Sequence, residues 1–361
     1  MSVLVVRPDG MGDVLLTGPA VRAVAASGAE VTFLAGPGGA GAAALLPGVS
    51  SVLSWEAPWI APEPGPFDPG AVRQLVDQVR AARPESALIF TSFHQSPLPM
   101  ALALRMAGVP HIAAISEDYP GSLLDLRHRP TGDIPEAERN LSLVHAAGYS
   151  LPAGDGGQLA VTSALPDPAE LVAAPYVVVH ARASVPARAP SVSRVAAMVG
   201  ALARAGHRVV VTGSADDAAV TAGICADAAD TVDLGGRTSL PMLAAVLAGA
   251  DVVVVPNTGA AHLAAAVGTP VVSLFAPVVP AARWAPYGVP HAVLGRQDAP
   301  CAGTRARVCP VRGHPCLDLI DPGEVVAAVA ELSRSAELSR SAGPAQSAER
   351  AGEPVAAEVS R

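Results

Sequence analysis

An α/β protein built on two parallel sheets is what this chain predicts, and three observations carry the prediction. Short apolar runs alternate with helical stretches through both halves of the sequence, the pattern of strand–helix–strand crossovers. The chain has 361 residues, long for one domain against the roughly 100–200 residues usual for each. The stretch 250–277, ADVVVVPNTGAAHLAAAVGTPVVSLFAP, reads as a complete βαβ unit. Its strand 252–255 breaks at Pro256-Asn257-Thr258-Gly259, small residues carry a helix over 260–267, and Gly-Thr-Pro leads into strand 271–275. The turn then sits at the carboxyl edge of a parallel sheet, where free amides at a helix start and the helix dipole favour phosphate.

The remaining elements follow from the same signals. In the first half, strands are expected at 3–7, 30–35, 52–55, 87–92 and 111–115, with helices at 14–26, 71–82, 99–107 and 136–147. Residues 58–69 form a proline-rich loop, and Gly108 closes the third helix. Residues 149–175 are rich in Gly, Pro and Asp and make the linker, within which 158–162 can pair as a short strand. The second half repeats the alternation, with strands at 176–180, 207–212 and 231–233 ahead of the βαβ unit. Its helices fall at 193–205, 216–229, 240–248 and 322–332. The expected division is a domain over 1–155, a second over 170–332, and a low-complexity tail over 333–361. The tail repeats ELSRSA at 331–336 and 337–342, then lacks large apolar residues, a composition that stays disordered.

Composition excludes several classes of partner. Half of the residues are hydrophobic, enough for a sizeable core, while a net charge of −8 argues against a nucleic-acid surface or an anionic-membrane patch. All 24 basic residues are Arg, so no lysine Schiff base can form, and phosphate contacts fall to Arg, His, hydroxyls or amides. The start of the chain lacks a basic leader, and no apolar run reaches the roughly 18 residues of a membrane span. A cytoplasmic protein is expected. Cys301, Cys309 and Cys316 crowd beside His314, which raises a metal question, but the spacing matches no standard zinc pattern.

At the amino terminus, strand 3–7 runs into Arg7-Pro8-Asp9-Gly10-Met11-Gly12-Asp13 and then a helix. The two glycines permit a tight turn and close approach to the backbone, but the dinucleotide fingerprint lacks its third glycine. Asp13 is either a helix-start carboxylate satisfying the dipole or a base facing an interdomain cleft.

The stretch GMGDVLLTGPAVRAV, taken with PNTGAAHLAAAVGTPVVSLFAP, resembles glycosyltransferase family 9, the ADP-heptose:lipopolysaccharide heptosyltransferases. TSFHQSPLPMALALRMAG, ISEDYPGSLLD, LGGRTSLPML and RWAPYG agree in order over roughly 3–330. The resemblance implies a GT-B fold, two Rossmann-like domains facing across a cleft, with the acceptor side N-terminal and the nucleotide-sugar side C-terminal. It implies inverting, metal-independent transfer of heptose or a related sugar from an ADP-sugar to a saccharide-type hydroxyl, and the chain has no Asp-x-Asp motif. The partners expected are therefore the nucleotide-sugar donor, as substrate rather than cofactor, and the acceptor. A lipid-linked acceptor would bring peripheral membrane contact without any spanning segment.

Residue by residue, Asp13 matches the family's proposed general base. Thr258, Gly259 and His262 match the part of D-T-G-x-x-H that cradles the diphosphate. Arg188 stands where the family carries a lysine near the phosphates, a change from point charge to planar fork. Asn257 replaces the family's Asp, His180-Ala181 replaces Pro-Gly, and Thr304 replaces a cysteine that relatives often carry, so no four-ligand metal site is expected. Gly12, His94 and Asp118 are the acceptor-side candidates, His94 being equally a loop histidine and Asp118-Tyr119 equally a turn. Asp216 and Asp217 suit ribose hydroxyls or a helix N-cap, and Arg283, Trp284 and Tyr287 are candidates for a wall of the donor pocket. Asn257 and the altered 180–190 segment also fit a non-catalytic or redirected nucleotide-sugar-binding protein. A nicotinamide-dependent oxidoreductase on the Gly10/Gly12 turn explains nothing about 250–277.

Overall fold

The computed structural model describes residues 1–61 and 63–341. The first half contributes β1 (Ser2–Arg7), β2 (Glu30–Ala35), β3 (Val49–Ser54), β4 (Ser86–Ile89), β5 (His111–Ile115) and β6 (Leu126–His128). The second contributes β7 (Val177–His180), β8 (Val209–Thr212), β9 (Thr231–Asp233), β10 (Val252–Pro256), β11 (Val271–Leu274) and β12 (His291–Leu294). Each set forms a six-stranded parallel sheet, ordered β3-β2-β1-β4-β5-β6 and β12-β11-β10-β7-β8-β9. In both sheets the order reverses beside a central strand, which opens a crevice at the carboxyl edge.

Helices α1 (Met11–Leu15), α2 (Gly18–Ala25), α3 (Pro37–Ala43), α4 (Pro69–Ala82), α5 (Leu98–Met106) and α6 (Glu136–Ala146) surround the first sheet. The second carries α7 (Val192–Arg204), α8 (Ala218–Cys225), α9 (Leu240–Ala248), α10 (Gly259–Ala266), α11 (Ala281–Trp284), α12 (Pro315–Asp318) and α13 (Pro322–Ser341). Alternation along the strands sorts the core into three parts. Val3 and Val5 of β1 join Val253 and Val255 of β10 in one apolar cluster that runs through both halves. Leu4 and Val6 face outward to α4 and α5, and Val252 and Val254 face α7 and α13. The two halves thus share an apolar cluster.

Several sequence expectations change. The helix expected at 14–26 is two helices, because Pro19 cannot donate an amide and the Thr17 hydroxyl turns back to the Asp13 carbonyl at 2.9 Å. Residues 37–43 were not expected to be helical, yet PGGAGAA forms α3. A side chain at Gly36 would meet the Pro8 carbonyl oxygen at 2.5 Å, and one at Gly39 would meet Val14 at 2.7 Å. Glycine is there because α3 lies against the turn that begins α1. No strand forms at 158–162; instead Thr162 donates its amide to the Leu45 carbonyl and Arg22 grips Asp155 and the Gln158 carbonyl. The last helix continues past residue 332 to Ser341, since Glu, Leu, Arg and Ala continue a helix and no Gly or Pro interrupts them. The tail from 333 is therefore helical up to 341, and the rest of that expectation lies outside the described residues.

Candidate active site

The turn after β1 and the turn after β10 face each other. A side chain at Gly12 would lie 2.8 Å from the His262 ring and 3.2 Å from the Gly259 Cα, and one at Gly259 would meet Met11 at 2.5 Å. What approaches the Gly12 backbone is thus the opposing half of the protein. Beside this contact opens a cleft of about 400 Å³. Gly12, Asp13, His94, Arg188, Asn257, Thr258, Gly259 and His262 all line it. The sequence candidates converge there with one exception. Asp118 is exposed and does not line the cleft; it lies in a bend at Glu117-Asp118, where the Ser116 hydroxyl donates to the Asp118 carbonyl.

The C-terminal wall presents nitrogens without partners. Asn257 is 4% exposed and His262 3%, yet Asn257 Nδ2, His262 Nδ1 and Arg188 Nε are buried with no hydrogen-bond partner. Buried polar groups are almost always paired, so three such nitrogens on one wall mark a ligand position. The helix N-terminus adds to them: Thr258 is the N-cap of α10 in extended conformation, but its hydroxyl does not cap the helix. Arg305 and Arg307 extend the positive lining. Burial pushes the Arg188 guanidinium below its usual range while Asp13 opposes that effect, and nothing here brings an arginine near neutrality.

Burial holds the His262 imidazole down to about 4, with the Asp13 carboxylate pulling the other way. The ring is therefore neutral at pH 7 and serves as a directed hydrogen-bond partner, not a cation. His94, at the mouth, is likewise held to about 4 by desolvation and then by Arg305. His180 is also pushed to about 4 by burial, its Nδ1 lying 3.0 Å from the Thr212 hydroxyl. Below the ordinary histidine value of 6.5 the unfolded chain takes up these protons and the folded protein does not, so stability falls as pH drops from about 6.5 to about 4. Thermal melts at pH 7.5, 6 and 5 should show a declining midpoint, with a shallower decline in His180→Asn. An unchanged slope in that variant would remove His180 from the effect.

The N-terminal wall is built on Arg7, which the sequence pattern marks only as the end of β1. Arg7 is fully buried, and its Nη2 donates to Asp13 Oδ1 at 2.7 Å and to Ser92 Oγ at 3.0 Å. Its Nε lies 2.8 Å from Asp9 Oδ2, an ion pair without hydrogen-bond direction, and its Nη1 lies 4.0 Å from Glu136. Burial works to lower the Arg7 pKa, but the three carboxylates overturn it and the net shift is upward. Gln95 donates to the other Asp9 oxygen at 2.6 Å. A buried guanidinium thus orients Asp13, which keeps a part of its surface open to the cleft.

One further expectation is corrected. Arg283 and Tyr287 do not wall the donor pocket: Arg283 pairs with Asp133 and Glu136, and Tyr287 reaches Glu138 at 3.4 Å, all in the first half. Trp284 does line the cleft, its ring 5.6 Å from that of Phe93. Asp217 completes a capping box with Ser214, so the N-cap alternative holds there. Cys301 and Cys316 are buried in the second core with free thiols, and burial, then Cys301 and Cys309, pushes the Cys316 thiol up to about 11. Among the described residues, no group of three His, Cys, Asp or Glu side chains is placed to hold a metal ion.

Two Rossmann-like sheets facing across a polar cleft make a GT-B-like fold, the architecture of a class of glycosyltransferases. The chain belongs to glycosyltransferase family 9 (heptosyltransferase), whose sequence profile matches residues 95–314. It is 45% identical over 73 residues to lipopolysaccharide heptosyltransferase 1 of Pseudomonas aeruginosa, a match that spans 20% of each chain. In structure it is similar to ADP-heptose LPS heptosyltransferase II of E. coli, at 22% identity and a TM-score of 0.72. That likeness covers 93% of this chain and 100% of the other. The E. coli heptosyltransferase WaaC with ADP gives 19% identity, a TM-score of 0.61, and coverage of 81% and 91%. At these identities the structural likeness speaks for the fold. No helix among the described residues is long and apolar enough to cross a membrane.

Proposed function

We propose that this glycosyltransferase moves a heptose or closely related sugar from an ADP-sugar to a hydroxyl of a saccharide-type acceptor, with inversion at the anomeric carbon. The observation that carries the reading is the set of unpartnered nitrogens, Arg188 Nε, Asn257 Nδ2 and His262 Nδ1, beside the uncapped start of α10 and opposite Asp13. A related structure that holds ADP supports the choice of nucleotide. Asp13 accepts the proton of the acceptor hydroxyl as its oxygen forms the new bond to the anomeric carbon. The bond from that carbon to the diphosphate breaks in the same step, and the electron pair leaves with the nucleoside diphosphate. Arg188, the Gly259 end of α10 and neutral His262 take up that charge in a site already organised for it. The compensation is assigned to these protein groups, without a metal ion. Asn257 brings an N–H donor where the family's acid could only accept, so it suits an acceptor atom on the donor molecule.

Titration calorimetry with ADP and turnover of ADP-heptose test the reading. Wild type should bind ADP, and Arg188→Ala should weaken binding about 10- to 100-fold, the value of a charge-assisted hydrogen bond. Absence of ADP binding at millimolar concentration would overturn the proposal. Equal affinity in Arg188→Ala would remove Arg188 from the phosphate contact.

A further inference from the structure

Glu136 begins α6 and is completely buried, yet three guanidiniums approach it. Arg139 Nη1 lies 3.5 Å from its Oε2, and Arg7 Nη1 lies 4.0 Å from the same oxygen. Arg283 Nη1 reaches Oε1 at 3.4 Å. Arg139 and Arg7 belong to the first half, whereas Arg283 comes from α11 in the second. Arg283 is held by more than this contact. It pairs with Asp133, and its guanidinium lies 4.9 Å over the Phe93 ring, which also touches Trp284 in the cleft. A line of opposite charges therefore runs from the second half through Arg283, Glu136 and Arg7 to Asp13.

We infer that Arg283 is a positioning residue: by holding Glu136 from across the domain boundary it keeps Arg7, and through Arg7 the Asp13 carboxylate, oriented toward the cleft. The inference rests on the reading of Asp13 as the base. The physical reason is that one buried carboxylate is shared. Arg283 draws Oε1 toward the second half, which leaves Arg7 at 4.0 Å and its Nη2 free to point at Asp13. Without Arg283, Glu136 has only Arg7 and Arg139 left to compensate it. A buried charge that loses a partner is left under-compensated at considerable cost, which favours closer approach of the cations that remain. Arg7 then moves toward Glu136, and its hydrogen bond to Asp13 lengthens. Chemistry becomes sensitive to whether the two halves are engaged, because the base is aligned only when the second half supplies Arg283.

The test has one arm that needs no substrate. Arginine side-chain 15N NMR of the ligand-free protein, with Arg7 assigned by loss of its signal in Arg7→Lys, should show the Arg7 Nε–H resonance shifted in Arg283→Met. The Arg22 resonance, from the pair with Asp155, should stay in place. Arg283→Lys should return the Arg7 signal most of the way, and Arg296→Met, which removes an exposed pair with Asp298, should leave it alone. An unmoved Arg7 signal in folded Arg283→Met overturns the inference. In turnover, Arg283→Met should lower kcat about 10- to 100-fold, as expected for a slightly misplaced base, with donor KM within about twofold. Glu136→Gln should show a similar loss, and the double variant should be no slower than Glu136→Gln alone. Losses that multiply would mean independent roles and would also overturn it. If Arg283→Met does not fold, Arg283→Lys and Glu136→Gln carry both measurements. Should the wild-type protein transfer no sugar, the proposed function fails while the NMR arm still decides the coupling.

Discussion

Replacing Asp13 with asparagine is expected to lower turnover by about 10²- to 10⁴-fold, the usual contribution of a positioned base, while ADP affinity stays within about twofold. Asparagine is the informative substitution. Its side-chain oxygen can still accept from Arg7 Nη2, which donates to Asp13 at 2.7 Å, but it cannot take a proton from an acceptor hydroxyl. Alanine would also strip a partner from a fully buried guanidinium, and so would mix lost chemistry with lost structure. The donors assigned to the diphosphate sit on the other wall of the cleft, on Arg188, Asn257 and α10, which is why nucleotide binding should survive. The measurement is kcat from initial rates beside the dissociation constant for ADP from calorimetry. Turnover close to wild type would place the base elsewhere in the cleft.

The largest effect on stability is expected at Arg7. Methionine there keeps most of the volume but leaves Asp9, Asp13 and Glu136 facing one another without their shared cation. Breaking a buried pair by removing one partner costs about 3–5 kcal/mol, and Arg7 serves three carboxylates. Burial, with Asp13 and Glu136 beside it, already pushes Asp9 toward its protonated form despite Arg7 and Gln95. Without Arg7 that tendency grows. Chemical denaturation should show the loss as a lower midpoint, and activity should fall with it because Asp13 loses its orienting partner. Arg7→Lys should recover part of the stability, since a single ammonium cannot reach all three carboxylates as the planar guanidinium does. A methionine variant as stable as wild type would mean that the surrounding carboxylates are neutral in the native protein.

Much of the architecture was legible because its signals are local. The run Val252–Pro256, the turn through Gly259 and the small residues of α10 give strand, break and helix without reference to any distant residue. The same holds for β1 and the Gly10–Asp13 turn. Where the reading failed, a distant partner decided the outcome. PGGAGAA is a poor helix by propensity, and it forms α3 because Gly36 and Gly39 allow close packing on Pro8, Asp9 and Val14. The edge strands β6 and β12 are only three and four residues long, and it is pairing with β5 and β11 that makes them strands. Arg283 and Tyr287 looked like pocket residues by their position after β11, but acidic residues at 133, 136 and 138 draw them away.

The sequence by itself determined the two parallel sheets and the turns at their carboxyl edges, while its resemblance to glycosyltransferase family 9 pointed to Asp13, Arg188, Asn257, Thr258 and His262, which line the cleft. Hydrophobic periodicity and turn chemistry act over a few neighbouring residues, so a single chain displays them. Tertiary structure alone decided that Arg7 is the buried centre of the acidic cluster, that burial holds His262 below its ordinary titration range, and that Asp118 lies outside the cleft. Those properties depend on which charges are brought together and which are removed from water, and both are fixed only when residues distant in the chain are packed around them.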